Sequence, residues 1–283
     1  LDGAFHGETV GVTALCGTEV FRRPFAGVLM DCIHVPAATD GYERAFDALQ
    51  RVIENGADRI AAVVLEPVVQ GVAGMRAYDP RYLAQVRELT RTHDILLVLD
   101  EGFTGYGRTG PMWACEHAAV APDILCTAKG FTGGTLPMAA TLVTERIFEG
   151  FLGERDRAFC YGHTFCGNPL GAAVARAVLE VYRDEAILER AGPKSARIAA
   201  AFEQMRDITG VQSTRARGMI GALDLAGGGG YLQRSGWRVY EEALKRGAYV
   251  RPLGNVVYVT PALNIDDAIL DELLQIVADS VRA

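Results

Sequence analysis

The amino-acid sequence predicts an α/β protein with a mostly parallel β-sheet in its larger N-terminal part and a smaller α+β domain at its C-terminus. Short apolar runs alternate with amphipathic stretches, and the runs end in turn residues or carboxylates. Such runs are typical of strands buried on both faces of a parallel sheet. The alternation gives way to short strands flanked by two helices, so we predict domains at 1–194 and 195–283.

In the larger domain, one amphipathic stretch and four apolar runs carry this prediction. The stretch at 80–94 has Tyr82, Leu83, Val86 and Leu89 at helical spacing, which predicts a helix. The predicted strands are AAVVLEP (61–67), ILLVLD (95–100), DILCTA (123–128) and MAATLVTE (138–145).

The C-terminal part begins with a helical pattern from about residue 168 to residue 206. The four glycines at 227–230 indicate a flexible surface turn. The remaining predicted elements are strands at 219–226, 248–252 and 255–261 and helices at 232–246 and 265–283.

Composition excludes several classes of protein. The net charge of -7 and the lack of a basic run argue against a nucleic-acid partner, and no apolar run reaches membrane-spanning length. The six cysteines form no C-x-x-C pair and the five histidines have no ligand spacing with them. We therefore expect free thiols in a reducing cytoplasm and no metal site.

The chain opens at Leu1 without a methionine or a signal peptide. We expect it to begin within a domain, as a fragment, a processed protein or a partial reading frame.

One lysine stands out from the other basic residues. Only three of the 28 are lysines, and Lys194 and Lys245 lie in polar helical stretches that predict solvated surface charges. Lys129 instead follows an apolar run and lies among small residues. A desolvated lysine can become a neutral amine that attacks carbonyl groups, whereas arginine stays charged. The alternative is a surface lysine in a loop without a functional role.

Asp100 ends the run ILLVL and is the second candidate for a chemical role. It could cap a helix, bind a metal or pair with a buried cation. Sites in parallel sheets lie at the carboxyl ends of the strands, where Asp100 and Lys129 both fall. A carboxylate for a protonated ring nitrogen and a lysine that forms a Schiff base are the two groups that a pyridoxal phosphate enzyme needs.

The stretch GYGRTG (105–110) fits the dinucleotide fingerprint G-x-G-x-x-G. In that fingerprint the glycines follow a strand directly and open a helix. Here DEGFT intervenes and a proline follows, which favours a glycine-rich loop over a nicotinamide-dependent oxidoreductase.

Three further stretches have a structural and a functional interpretation each. HTFCGNP (163–169) could bind phosphate before a helix or only cap that helix. Arg251 could clamp a carboxylate or form a surface salt bridge. Phe5, beside His6, could lie against a flat cofactor or belong to the core.

Together these segments resemble the class III (subgroup II) pyridoxal phosphate aminotransferases of fold type I. The resemblance spans nearly the whole chain and rests on six ordered motifs. They are AFHGET, EPVVQGVAGM, LVLDEGFTGYGRTG, ACEHAAVAPDILCTAKGFTGG, GHTFCGNPLG and VRPLGNVVYVTP.

The resemblance implies roles for individual residues. Lys129 would be the Schiff-base lysine and Asp100 the partner of the ring nitrogen, and both would be catalytic. The residues implied to bind the cofactor are Phe5, His6, Asp100, Lys129, His163 and Thr164, the last two across a dimer interface. Those implied to bind substrate are Phe5, Arg108, Lys129, Gly162 and Arg251, with Glu66 and Gln70 in the pocket wall.

Within the family, several blocks most resemble members that act in biotin synthesis. This implies transfer of an amino group to 7-keto-8-aminopelargonate from S-adenosylmethionine or lysine, by a cytoplasmic homodimer. Another ω-aminotransferase, acting on a diamine or an ω-amino acid, is the alternative within the class. A truncated and inactive remnant of the fold is the alternative outside it.

The sequence departs from the family pattern at four positions and in one segment. Phe5 stands where tyrosine is usual and Glu8 where aspartate is common, and Thr260 precedes Pro261 in place of a Pro-Pro pair. Gly102 replaces a branched aliphatic residue. The family's N-terminal portion, which supplies a Gly-Ser phosphate-binding turn, is missing from the sequence.

Overall fold

The computed structural model describes residues 1–283 and contains nine α-helices and nine β-strands. The helices α1 to α9 are Val10–Leu15, Glu19–Arg22, Tyr42–Glu54, Pro80–Thr92, Glu145–Glu149, Pro169–Asp184, Ile187–Met205, Ser235–Lys245 and Asp267–Arg282. The strands β1 to β9 are Ala62–Leu65, Val69–Gln70, Arg76–Ala77, Leu96–Asp100, Ile124–Thr127, Ala140–Val143, Val211–Arg217, Ile220–Leu225 and Val256–Val259. Short 3-10 helices are Arg23–Val28, Ala38–Asp40, Ala57–Arg59, Ala114–Ala118, Lys129–Thr132 and Arg155–Arg157.

The first sheet has four strands in the order β1-β4-β5-β6. The pairs β1–β4 and β4–β5 are parallel, whereas β6 runs antiparallel to β5. The predicted mostly parallel sheet of an α/β fold is confirmed. All four apolar runs form strands of this sheet, and β4 and β5 end side by side at the same edge.

Helix α4 shows how local sequence defines an element beside this sheet. It begins at Pro80 behind Asp79, whose side chain accepts the N–H of Arg81 at 2.9 Å. Tyr82, Leu83 and Val86 are fully buried on one face, as their spacing predicts. This face contributes to a core of 18 buried residues that all lie between Leu1 and Val120.

Strands β2 and β3 form a separate two-stranded antiparallel sheet. The C-terminal sheet is an antiparallel meander in the order β7-β8-β9; α7 and α8 pack against it, and α9 packs against α7 and α8. The strand predicted at 248–252 is wrong: the segment has no regular secondary structure, and only an isolated bridge, Leu253 to Val256, follows it. Pro252 has no N–H to donate, and a tight turn follows at once. The third strand of this sheet is β7, an edge strand that the prediction missed because its sequence, VQSTRAR, is polar.

A second core of 18 buried residues lies entirely between Ala191 and Val281. A third cluster joins residues of both halves, among them Val69, Ala114, Ile220 and Val256. Lys194 belongs to the interior rather than to the surface: it is 4% exposed, and its Nζ donates to the carbonyl oxygen of Leu263 at 3.2 Å. The surface position predicted for Lys194 is therefore wrong.

Two further features of the fold bear on the expectations. All six cysteines are free thiols. None of the helices combines the length and the apolar character that crossing a membrane requires.

Candidate active site

Asp100 and Lys129 meet at Gly102, beyond the carboxyl edge of the first sheet. Asp100 is the last residue of β4, and its Oδ1 accepts the N–H of Gly102 at 2.9 Å. Lys129 opens the 3-10 helix after β5, and its Nζ donates to the carbonyl oxygen of Gly102 at 3.1 Å. The parallel pairing of β4 and β5 therefore brings together a carboxylate and an amine that are 29 positions apart in the sequence.

His6 fixes the carboxylate of Asp100 from the other side. Its Nδ1 lies 2.9 Å from Oδ2 of Asp100, and its side chain is only 3% exposed. The Nε2 atom is buried without a hydrogen-bond partner in the chain. Since each oxygen of Asp100 has a different partner, the carboxylate has little freedom to turn.

Glu66 holds the two backbone segments that flank this point. One oxygen accepts the N–H of Phe5 at 3.1 Å, and the other accepts the N–H of Gly71 at 2.9 Å. Burial raises the pKa of Glu66 to about 7, although both N–H groups and nearby His6 favour the charged form. Gln70, predicted in the same wall, lines neither cavity at Asp100 and Lys129; it is buried and donates to the carbonyl oxygen of Asp2 at 3.0 Å.

Two adjoining cavities of about 360 and 390 Å³ share Phe5, Asp100 and Lys129 in their walls. The first extends to Arg251 in the C-terminal part of the chain, and the second reaches His6 and Gly102. A cavity of about 930 Å³ lies on the far side of Tyr231, beside the glycines at 227–230. It includes neither Asp100 nor Lys129, so its size alone does not make it the reaction site.

The space at Gly102 suits a flat ring bound between Asp100 and Lys129. A Cβ atom at this position would stand 2.9 Å from Oδ1 of Asp100 and 3.6 Å from Nζ of Lys129. Glycine keeps that space open, and the surrounding groups are a carboxylate, an amine and the ring of Phe5. These residues fit the ring and aldehyde portions of pyridoxal phosphate.

Lys129 itself is exposed rather than buried among apolar groups. The expectation of a desolvated amine is therefore wrong for the chain in this structure. Its neighbours are small, but they leave the side chain open to the cavity instead of covering it. Its backbone adopts a left-handed conformation, with φ of 51°, where it opens the 3-10 helix.

His163, Thr164 and Gly162 are not brought to Lys129 within one chain. All three are exposed, in a segment without helix or strand before α6, and none lines either cavity. The predicted helix cap is present here, because Oδ1 of Asn168 accepts the N–H of Leu170 at 3.0 Å.

Arg108 likewise lines neither cavity. Its guanidinium donates to the carbonyl oxygens of Pro261 at 2.7 Å and Met219 at 3.2 Å. Burial lowers the pKa of Arg108. In this chain the side chain connects the loop after β4 to the C-terminal sheet and does not face the expected substrate position.

The stretch GYGRTG forms turns after β4 and opens no α-helix, which agrees with a glycine-rich loop. The buried carboxylate of Glu101 anchors it by accepting the hydroxyl of Thr104 at 2.6 Å and the N–H groups of Ala114 at 3.1 Å and Cys115 at 2.9 Å. Burial raises the pKa of Glu101. The fingerprint therefore lacks the helix N-terminus that would bind a pyrophosphate.

Four aromatic residues of the first cavity are absent from the residues predicted to form the site. Phe21, Phe103, Tyr231 and Tyr258 lie in its wall. Phe103 and Tyr258 fall within two of the six motifs, but neither motif assigns them a role. Phe21 lies in the short helix α2, and the only signal beside Tyr231 is the glycine run before it.

Comparisons with known proteins agree with this geometry. A model of the family described as Aminotransferase class-III matches residues 1–281. Adenosylmethionine-8-amino-7-oxononanoate aminotransferases from Nitratidesulfovibrio vulgaris and Geobacter sulfurreducens are 37% and 36% identical to the chain, each over 99% of it. The chain spans 55% and 66% of the length of these two relatives.

Solved structures give the same result. The crystal structure of the enzyme of that name from Methanocaldococcus jannaschii is 32% identical, with a TM-score of 0.94 over 100% of this chain and 67% of its own. A transaminase from the marine bacterium Virgibacillus is 27% identical, with a TM-score of 0.90 over 99% of this chain and 66% of its own. The family resemblance is thereby confirmed, and the chain belongs to the class III aminotransferases, a family of pyridoxal phosphate enzymes of fold type I.

Proposed function

We propose that this chain is part of a pyridoxal phosphate-dependent aminotransferase that converts 7-keto-8-aminopelargonate into 7,8-diaminopelargonate in biotin synthesis. The amino donor would be S-adenosylmethionine or lysine. The observation that carries the proposal is the meeting of Asp100 and Lys129 at Gly102, in a cavity wall that continues to Arg251. The names of the similar enzymes, which specify an 8-amino-7-oxononanoate substrate, support this choice of acceptor.

Each residue of the site has a role in this proposal. Bound pyridoxal phosphate would supply an aldehyde for the amino group and a ring that accepts electrons. Asp100 would hold a proton on the ring nitrogen, and His6 would keep the Asp100 carboxylate in place. The Nζ of Lys129 would hold the aldehyde at rest and move a proton during the transfer. Phe5 would cover one face of the ring.

The acceptor would bind with its carboxylate at Arg251. The guanidinium of Arg251 lies at the cavity wall and has no acidic partner within ion-pair distance. A bidentate contact with a carboxylate would satisfy this charge. Arg108 and Gly162, which were expected to contact substrate as well, gain no support from their positions in one chain.

A homodimer would give His163 and Thr164 a place in the cofactor site. We propose that they reach the phosphate bound by a second copy of the chain, beside which Gly162 would line the substrate pocket. Large exposed side chains around them support this: Tyr161 is 79% exposed and Phe165 is 75% exposed. The six free thiols support a reducing compartment such as the cytoplasm.

A second candidate is another ω-aminotransferase, supported by the similarity to the Virgibacillus transaminase. Arg251 distinguishes the two. Replacing Arg251 with glutamine should weaken the binding of a keto acid that carries a distant carboxylate but leave the binding of a diamine unchanged. Equal losses on both substrates would count against the carboxylate-binding role of Arg251.

The first test is a visible absorbance titration with pyridoxal phosphate. We expect the wild-type chain to develop a yellow band that survives dialysis, and Lys129→Ala to lose it, because that amine would hold the aldehyde. Lys245→Ala is the matched control, since its ammonium is exposed on α8 and pairs only with Glu242 at 2.6 Å. A band that persists in Lys129→Ala, or its absence from the folded wild-type chain, would contradict the proposal.

A further inference from the structure

Tyr231 contacts Arg251, a charged side chain of the first cavity that has no ion-pair partner. Nη2 of Arg251 donates to the Tyr231 hydroxyl at 3.3 Å. No other side-chain hydrogen bond fixes the guanidinium. The salt-bridge interpretation of Arg251 is therefore wrong for this chain, and a neutral phenol orients the charge instead.

Close backbone packing fixes the position of Tyr231. Gly254 has φ of 63°, and a Cβ atom there would overlap the carbonyl oxygen of Gly230. The N–H of Gly236 donates to the carbonyl oxygen of Gly254 at 3.0 Å. The loop that carries Tyr231 and the turn after Arg251 thus meet backbone to backbone, with no side chain to hold them apart.

Tyr231 also ends a row of aromatic rings. The centroids of Phe5 and Phe21 are 5.0 Å apart, and those of Phe21 and Tyr231 are 5.1 Å apart. All three rings line the first cavity. The row begins at Phe5, which shares this cavity with Asp100 and Lys129, and ends at the guanidinium of Arg251. An aliphatic chain fits along this row of rings, because their carbon faces form an apolar strip in the cavity wall.

The hydrogen bond from Arg251 uses the Tyr231 oxygen as acceptor and leaves the phenol proton free to donate. A carboxylate placed between the two groups could then bind the guanidinium with one oxygen and the phenol with the other. A neutral amide group presents no negative charge to the guanidinium and should therefore bind there much more weakly.

We propose that Tyr231 is a positioning and specificity-determining residue, which orients Arg251 and selects substrates whose aliphatic chain ends in a carboxylate. This inference deepens the proposed function and rests on it for the identity of the substrate. Tyr231 and Arg251 belong to the same chain, so carboxylate binding at this pair is testable without turnover.

The test compares nonanoate with nonanamide, which have the same chain and differ in the charge at its end. Both are titrated by calorimetry into the chain with and without pyridoxal phosphate. We expect wild type to prefer nonanoate, and Tyr231→Phe to weaken nonanoate about tenfold while leaving nonanamide unchanged, as the loss of a hydrogen bond to a charged group predicts. Arg251→Gln should abolish the preference. Tyr249→Phe, an exposed phenol of the same part of the chain, should change neither affinity.

With the acceptor as substrate, Tyr231→Phe should raise KM about tenfold and leave kcat unchanged, since the residue does not touch the reacting atoms. Equal weakening of both ligands, an unchanged nonanoate affinity in Tyr231→Phe, or no nonanoate binding to wild type would overturn the inference. A missing lysine-dependent absorbance band with an intact preference for nonanoate would count against the proposed function alone.

Discussion

Glu66 gives the chain a pH-dependent stability that one isosteric change can remove. Its carboxyl group is 4% exposed, and burial raises its pKa from 4.5 to about 7. Between these two values the unfolded chain has released the proton that the folded chain still binds. Stability therefore falls as pH rises through this window, by about 1.4 kcal/mol per pH step and about 3 kcal/mol in all.

Glu66→Gln removes this dependence, because the amide does not titrate. The difference in unfolding free energy, variant minus wild type, should rise by about 3 kcal/mol between pH 4.5 and pH 7 and stay level above it. The offset of that curve also contains the cost of the second N–H acceptor, which the amide lacks. The rise is independent of that cost.

The assay is urea unfolding followed by the fluorescence of Trp113 and Trp237, at half-unit pH steps from 4.5 to 8.5. Glu180→Gln, on the exposed face of α6, is the control and should give a flat difference curve. A flat curve for Glu66→Gln would refute the reasoning that burial dominates the pKa of Glu66. A curve that falls would mean that the two N–H groups outweigh burial.

Two further predictions concern stability. Arg87 donates to Asp123 at 2.6 Å, and both side chains are nearly buried. Arg87→Met should therefore lower the free energy of unfolding in urea at pH 7 by about 3 kcal/mol, because it leaves the Asp123 carboxylate without its partner. A loss below about 1 kcal/mol would contradict this prediction. Gly254→Ala should lower the free energy of unfolding by about 2 to 4 kcal/mol, because the strain of a left-handed backbone adds to an overlap with Gly230. Gly247 is also left-handed but has open space around it, so Gly247→Ala should lower the free energy of unfolding by only about 1 kcal/mol. Equal costs would show that the overlap is relieved.

The sequence was informative where one local pattern decides the outcome. The four apolar runs of the first sheet and helix α4 follow from periodicity and a capping aspartate. The convergence of Asp100 and Lys129 follows from the rule that parallel strands end at one edge. Strand β7 could not be found this way, because its burial depends on β8 and on α7, which lie elsewhere in the sequence.

Long-range contacts account for the other differences. The local sequence around Lys194 has the pattern of a helix surface, but its ammonium group donates to the carbonyl oxygen of Leu263 on a distant segment. The local sequence likewise gives no sign that Arg108 donates to two carbonyl oxygens of the C-terminal part. The aromatic row of Phe5, Phe21 and Tyr231 spans more than two hundred positions.

The two 18-residue cores do not interleave along the chain: one is complete by Val120, and the other starts at Ala191. During synthesis the first can therefore close before the second has been translated. The cluster that joins Val69 to Val256 and the cavity wall that runs from Lys129 to Arg251 contain residues of both halves, so each needs both halves to be present. Carboxylate binding at that wall therefore reports that the two halves have docked, and a ligand that spans it stabilises the docked arrangement over the undocked one.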